Sequence, residues 1–321
     1  MKYSIEIQPS GIRFETENNL LDDALEQEIV LEHSCKTGEC GVCSAQVISG
    51  TFEDKEGNEI TSGEILTCQS KAMADSVIQA KYYPELAGIA VRTVPCKVSS
   101  YDHVSEDIVV LALRLPPTAK FDYLAGQYID LSFKGIKRSY SIANVKSDSG
   151  EIELHIRKVP NGQMSTLLWD NLKPNLLMRL EGPKGTFFLR ESNKPLILIA
   201  GGTGIAPIKA IVEQLIAQDS KRDVYVYWGM PTKSGFFLSA DDLTASKPNI
   251  RFIPVLSGSD DSWFGRKGFV HEAVIQDFDS LDAHEVYACG SPVMIDAAKL
   301  AFNEKKLPAD AFFSDAFTAA T

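Results

Sequence analysis

Cys35-Lys36-Thr37-Gly38-Glu39-Cys40-Gly41-Val42-Cys43 decides how the first third of this chain is read. Three cysteines stand in the spacing C-x4-C-x2-C, and a fourth, Cys68, follows after 24 intervening residues. That is the spacing of a plant-type [2Fe–2S] site, in which four thiolates hold two irons. Three ligands on one tight loop force the backbone to wrap the cluster. Gly38 and Gly41 permit the bend and leave bare N–H groups able to bond to sulfur. A four-cysteine zinc site is the alternative. Zinc sites usually show two closely spaced pairs, whereas only Cys40 and Cys43 form one here.

Working outward, Lys2–Gln8 alternates apolar and polar residues, with Tyr3, Ile5 and Ile7 on one face. Ile12–Glu15 resumes the alternation after Pro9-Ser10-Gly11, which predicts a β-hairpin. Asn19 can cap a short helix carrying Asp22 and Asp23 in its first turn, with Leu21, Leu25 and Ile29 at helical spacing. Ala45–Ile48 reads as a further strand. This strand–strand–helix–loop–strand order around the cysteines resembles the β-grasp of plant-type ferredoxins over residues 1 to 88. Tyr82-Tyr83-Pro84-Glu85-Leu86 reads as a stiffened linker.

The chain has 321 residues, enough for two or three domains. Apolar residues make up 44% and charged residues 23%, which excludes a mainly disordered or fibrous chain. Apolar runs such as Leu196–Ala200 fall far short of the roughly 18 residues that span a bilayer. The N-terminus lacks the apolar core of a signal peptide. A cytoplasmic location without a membrane partner is therefore expected. The net charge is −11, and residues 1–90 carry nearly all of it, with 16 Asp and Glu against 6 Lys and Arg. An acidic chain is a poor partner for nucleic acid.

From about residue 92 the chain changes to short alternating strands with turn signals, such as Gln127–Phe133 and Ile152–Ile156, which predicts a barrel. Arg138-Ser139-Tyr140-Ser141 follows a strand and a turn at Lys134-Gly135. A guanidinium can clamp a pyrophosphate, an aromatic two residues on can lie against a flat ring, and a hydroxyl can bond a ring nitrogen. The motif alone also fits an ordinary strand with a surface Arg. It resembles the R-x-Y-S motif of the ferredoxin–NADP reductase superfamily. The resemblance implies Arg138 on the FAD phosphates, Tyr140 against the isoalloxazine and Ser141 near its N5. It also implies a second phosphate turn at Gly162-Gln163-Met164-Ser165 and His155 lining the flavin. Glu181–Phe187 resembles a glycine-rich turn closing the barrel and is read as structural.

From about residue 194 apolar strands alternate with helices, which predicts a parallel sheet. Pro195–Ala200 is a continuous apolar strand, and Gly201-Gly202-Thr203-Gly204-Ile205-Ala206-Pro207 leads into a helix. Glycines there let a pyrophosphate approach the backbone, and a helix N-terminus favours its charge. The stretch resembles the G-G-x-G-x-x-P motif of the same superfamily. Cys289-Gly290-Ser291-Pro292 resembles the position beside the nicotinamide, and Gly229 ends the second strand of the sheet. Asp315 and Phe317 match an acid and an aromatic near the chain end, which the resemblance implies act in catalysis and on the flavin's open face. Ser141, Cys289 and Asp315 are the expected catalytic residues.

These readings give a multidomain α+β and α/β chain. A β-grasp ferredoxin covers 1–88, a six-stranded antiparallel flavin-binding β-barrel 89–192, and a Rossmann-like parallel-sheet NAD-binding domain 193–321. The expected path runs from NADH through FAD and [2Fe–2S] to a protein acceptor. Tyr82–Leu86, Leu115–Lys120, Trp228–Pro231 and Phe312–Phe317 resemble the CDP-6-deoxy-delta-3,4-glucoseen reductases of 3,6-dideoxyhexose biosynthesis. That resemblance implies a pyridoxamine-phosphate-dependent dehydrase, acting on a CDP-sugar, as the acceptor. A ring-hydroxylating or alkane oxygenase component is one alternative acceptor, and a relay subunit of a larger complex is another role.

Overall fold

The computed structural model describes residues 1–33, 38, 41–147 and 149–317. They form two compact units, Met1–Ala90 and Val91–Thr321. In the first, Tyr3–Gln8 pairs antiparallel with Ile12–Thr16 and parallel with Ser76–Gln79. Ser44–Ser49 and Gly63–Leu66 complete a mixed five-stranded sheet. Ile5, Ile7, Leu20, Leu21 and Phe52 are fully buried in its core. Each such side chain contributes about 1.5–3 kcal/mol relative to exposure.

Asn19 caps the helix Leu20–Glu26 as the sequence predicts, its Oδ1 accepting from the Leu21 and Asp22 amides. The helix stops before Ile29, which the apolar spacing had placed on it. Glu28 takes a left-handed φ of 62°. The amides of Glu28 and Ile29 then bond back to the Leu25 and Ala24 carbonyls. This is the Schellman closure, in which Ile29 is the apolar residue just past the end.

The second unit begins with six antiparallel strands. Their order is Ile136–Ser141, Tyr128–Phe133, Leu177–Lys184, Arg92–His103, Ile108–Arg114 and Glu151–Arg157. Ile129, Leu131, Ile152, Leu154 and Ile156 point inward and are buried. The sheet curls until its two outer edges meet at the bridge Ile142↔Leu154. There the Ala143 amide donates to the Glu153 carbonyl at 2.8 Å. Lys134 and Gly135 both have positive φ, 48° and 83°, and make the tight turn into the strand that carries Arg138–Ser141.

A parallel sheet follows in the order Arg266–Lys267, Ile250–Leu256, Val224–Met230, Leu196–Gly201, Glu285–Gly290 and Phe312–Ala316. The chain lays strands outward from Leu196–Gly201 in one direction and then returns to its other side with Glu285–Gly290. The carboxyl ends of these two strands therefore form the switch point at which open parallel sheets bind ligands. The helices Ile205–Ala217 and Pro292–Glu304 both begin there.

Candidate functional site

Cys43 and Cys68 are buried, and their sulfurs lie 3.0 Å apart. Cys43 directly precedes the strand Ser44–Ser49, and Cys68 sits in a single turn at Thr67–Gln69. The Thr67 amide and hydroxyl both donate to the Cys43 carbonyl, at 2.9 and 3.1 Å, which joins the two segments. The Asn19 side chain donates to the Cys68 carbonyl at 2.9 Å, so the residue that caps the helix also fixes this turn. Gly38 and Gly41 have φ of 86° and 68°, a conformation that L side chains rarely adopt. Converging buried sulfurs beside left-handed glycines fit a sulfur-ligated cluster. Cys35 and Cys40, the other two expected ligands, lie outside the described residues.

On the barrel, Arg138 and Tyr140 share one face of their strand, while Ser139 and Ser141 share the other. Tyr140 packs against the barrel core, and burial pushes its phenol up. Arg138 donates to the Lys137 carbonyl at 2.7 Å. Ser139 donates to Asp130 at 2.6 Å and so serves the barrel wall. The Ser141 hydroxyl is different, being buried with no hydrogen-bond partner among the described residues. Leaving such a group unpaired costs about 1–3 kcal/mol. A ligand atom that accepts or donates at this point removes that cost, and this fits a flavin.

Gly162 is the N-terminal cap of the helix Gln163–Asn171. A Cβ there would stand 2.7 Å from the Ser165 hydroxyl, so the turn needs glycine. Met164 is buried in the barrel core. The Ser165 hydroxyl accepts from the Val159 amide at 3.1 Å and donates to the Gly162 carbonyl at 3.2 Å. The side chains of this stretch thus hold the turn, and its backbone N–H groups are what it offers an anion. His155 bonds Glu153 through Nε2 at 2.8 Å and packs edge-on against Phe237. Burial lowers its pKa, which favours neutral imidazole.

At the switch point, Gly202 has φ 59° and Gly202–Gly204 forms a short turn that runs into the helix containing Pro207. Thr203 is half-buried. A Cβ on Gly204 would lie 2.3 Å from the Cys289 carbonyl oxygen, and one on Gly201 would lie 2.7 Å from the Met294 sulfur. Gly201 and Gly204 are therefore packing glycines that bring Cys289 and Gly290 against the turn. Gly229 is another, since its Cβ would meet Val270 at 2.7 Å. Pro292 begins the next helix, whose cap is Ser291. The Phe317 amide donates to the Gly290 carbonyl at 2.8 Å, which ties the chain end to the same place.

Two further side chains meet the Gly202 turn. The buried Trp228 donates from its indole to the Gly202 carbonyl at 2.9 Å. Arg157, ion-paired with Asp107, lies over the turn, with Nη1 3.2 Å from where a Cβ on Gly202 would be. Its signal was present in the sequence: a cation at an outward position of a strand whose alternate residues, Ile152, Leu154 and Ile156, face the core.

Known proteins share this arrangement. The family description "2Fe-2S iron-sulfur cluster binding domain" matches residues 5–73, "Oxidoreductase FAD-binding domain" 95–189 and "Oxidoreductase NAD-binding domain" 198–300. The chain is 51% identical to Protein RfbI of Salmonella typhimurium over 99% of this chain and 98% of that one. It is 48% identical to the CDP-6-deoxy-L-threo-D-glycero-4-hexulose-3-dehydrase reductase of Yersinia pseudotuberculosis, over 99% of both chains. Among solved structures, the Amycolatopsis cytochrome P450 reductase GcoB superposes with a TM-score of 0.79 at 28% identity, over 99% of this chain and 100% of that one.

Proposed function

The chain belongs to the family of NADH-dependent FAD/2Fe-2S oxidoreductases, and we propose that it passes electrons from NADH through FAD to its cluster and on to a CDP-4-keto-6-deoxyglucose 3-dehydrase. The observation that carries the choice of acceptor is end-to-end identity of 48% with a reductase named for such a dehydrase.

A flavin accepts a hydride as two electrons and can release them singly, which matches a donor of two to a cluster that takes one. The chain's own residues prepare that exchange. Gly201–Gly204 and the helix behind it receive the pyrophosphate of NADH, with Arg157 adding positive charge. Gly204 against Cys289 fixes the backbone where the nicotinamide would rest. Ser141 offers the flavin its buried hydroxyl, which has no hydrogen-bond partner among the described residues. Cys35, Cys40, Cys43 and Cys68 ligate the iron.

The test is anaerobic NADH oxidation with the purified dehydrase and its CDP-sugar. Oxidation coupled to sugar deoxygenation, and dependent on both proteins, is expected. Cys40→Ser should abolish that coupling and spare NADH-to-dye reduction. A second reading, reductase component of an oxygenase, is favoured by the similarity to a P450 reductase. Turnover with an oxygenase partner and none with the dehydrase would select it.

A further inference from the structure

Gln69 follows Cys68 in the Thr67–Gln69 turn, and its side chain folds back over its neighbour. Its Nε2 donates to the Cys68 carbonyl at 2.8 Å and lies 3.6 Å from the Cys68 sulfur. A carbonyl oxygen only accepts, so this contact fixes which end of the amide is nitrogen. The amide nitrogen carries two N–H groups and stands within reach of both the carbonyl and the sulfur. The position is also mechanically held. A Cβ on Gly38 would stand 2.9 Å from the Gln69 Cγ, so the left-handed glycine leaves the room this side chain occupies. Cys68 is only 7% exposed, and the low local dielectric strengthens a hydrogen bond there.

We propose that Gln69 raises the reduction potential of the 2Fe-2S centre through an N–H···S hydrogen bond to the Cys68 sulfur. Reduction adds one electron, supplied from NADH, and neither makes nor breaks a bond at this residue. The added negative charge is spread in part over the ligand sulfurs. A donor aimed at one of them therefore stabilises the reduced state more than the oxidised one. Plant-type clusters lie near −400 mV, so an upward shift eases electron entry from the NADH side. Gln69 is a positioning and tuning residue, and a potential reads its role directly.

The proposal rests on the cluster, whose presence iron and sulfide content report separately. The experiment is an EPR-monitored redox titration of the holoenzyme and of Gln69→Leu, which keeps the volume beneath Gly38 but has no N–H. A charge-assisted hydrogen bond of about 1.5 kcal/mol corresponds to about a tenfold change in equilibrium. At the wild-type midpoint the ratio of reduced to oxidised cluster in the variant should therefore be about tenfold lower, which is a downward shift of about 59 mV for a one-electron couple. An unchanged midpoint at normal iron content overturns the proposal. A wild-type measurement stands beside this in case the variant fails to load. With glutamine labelled by 15N at the side-chain amide, the reduced cluster should show a coupled nitrogen in pulsed EPR. Absence of that coupling also overturns it.

Discussion

Cys289 and Asp315 are register partners on adjacent parallel strands, so a fully buried thiol and a half-buried carboxyl stand side by side at the switch point. Burial raises the Cys289 thiol well above its ordinary range, and the Asp315 charge adds to the shift. At neutral pH Cys289 is therefore held as a neutral thiol and not as a thiolate nucleophile. Burial also pushes Asp315 up to about 6 from 3.8.

Asp315 should leave a signature in stability. Between its unfolded and folded values the native state binds a proton that the unfolded state has released, so stability falls as pH rises from about 4 through about 6. Asp315→Asn should flatten the dependence of Tm on pH across that window and raise Tm above it. All three tryptophans, Trp169, Trp228 and Trp263, lie in the second unit. Tryptophan fluorescence therefore reports its unfolding alone. Parallel curves for the two proteins would show that Asp315 is not buried as a carboxyl.

Ser141→Ala should split stability from activity. With FAD stripped, removing a buried hydroxyl that has no partner among the described residues should leave Tm unchanged or raise it. With FAD bound, NADH-to-dye turnover should fall by about 10²-fold, the scale for losing one preorganised donor at a reacting group. An equal loss of stability with and without FAD would mean that the hydroxyl serves the protein.

The sequence made some of this legible and hid the rest for physical reasons. Hairpin alternation, the Asn19 cap and the C-x4-C-x2-C spacing are local patterns, and each predicts its own element. The Gly201–Gly204 turn between strand and helix was legible, but one of its reasons for glycine, Gly204 against the Cys289 carbonyl, joins residues 85 apart in sequence. Arg157 over Gly202 and the Trp228 indole on its carbonyl are likewise tertiary contacts with no local pattern. Ile29 was misplaced because apolar spacing continues past a Schellman closure that only a backbone angle reveals.

Arg157 should act in binding and not in chemistry. Its Nη1 lies 3.2 Å from where a Cβ on Gly202 would be, over the turn proposed to receive the pyrophosphate. Arg157→Ala should raise KM for NADH about tenfold and leave kcat within a factor of about two, the pattern for uniform binding. A fall in kcat at unchanged KM would place it with the reacting groups.

NADH should be preferred to NADPH. A 2′-phosphate usually calls for a nearby Arg, and the end of the second parallel strand, Trp228-Gly229-Met230-Pro231-Thr232, has none. Lys233 follows, but its amine bonds Ser262 at 3.3 Å. Ser262 in turn donates twice to Asp260, whose carboxylate is held below its ordinary range by these bonds. An anion beside Lys233 weakens its appeal to a phosphate. Comparable kcat/KM for the two nucleotides would refute this, and Asp260→Asn should narrow the preference.

The acidic surface of the ferredoxin unit gives the last prediction. Glu32 and Glu39 flank the cluster loop in sequence, and Glu53, Asp54, Glu56 and Glu59 form a second acidic run. Asp54 is committed to the turn, accepting from the amides of Glu56 and Asn58 and from the Asn58 side chain. Glu53 and Glu59 are directly opposed on paired strands. Like charges so placed destabilise a pair, and a surface selected only for solubility has no need of that arrangement. A field that draws in a basic partner would account for it. Exposed charges beyond about 8 Å are largely screened at physiological salt. Transfer to the protein acceptor should therefore slow steeply as salt rises, while NADH-to-dye reduction changes little. Glu59→Lys should replace repulsion with a cross-strand attraction, leaving the unit as stable or slightly more so, and yet slow transfer to the partner. Equal salt dependence of the two reactions, or a Glu59→Lys protein that transfers at the wild-type rate, would reduce this acidic face to a solubilising surface.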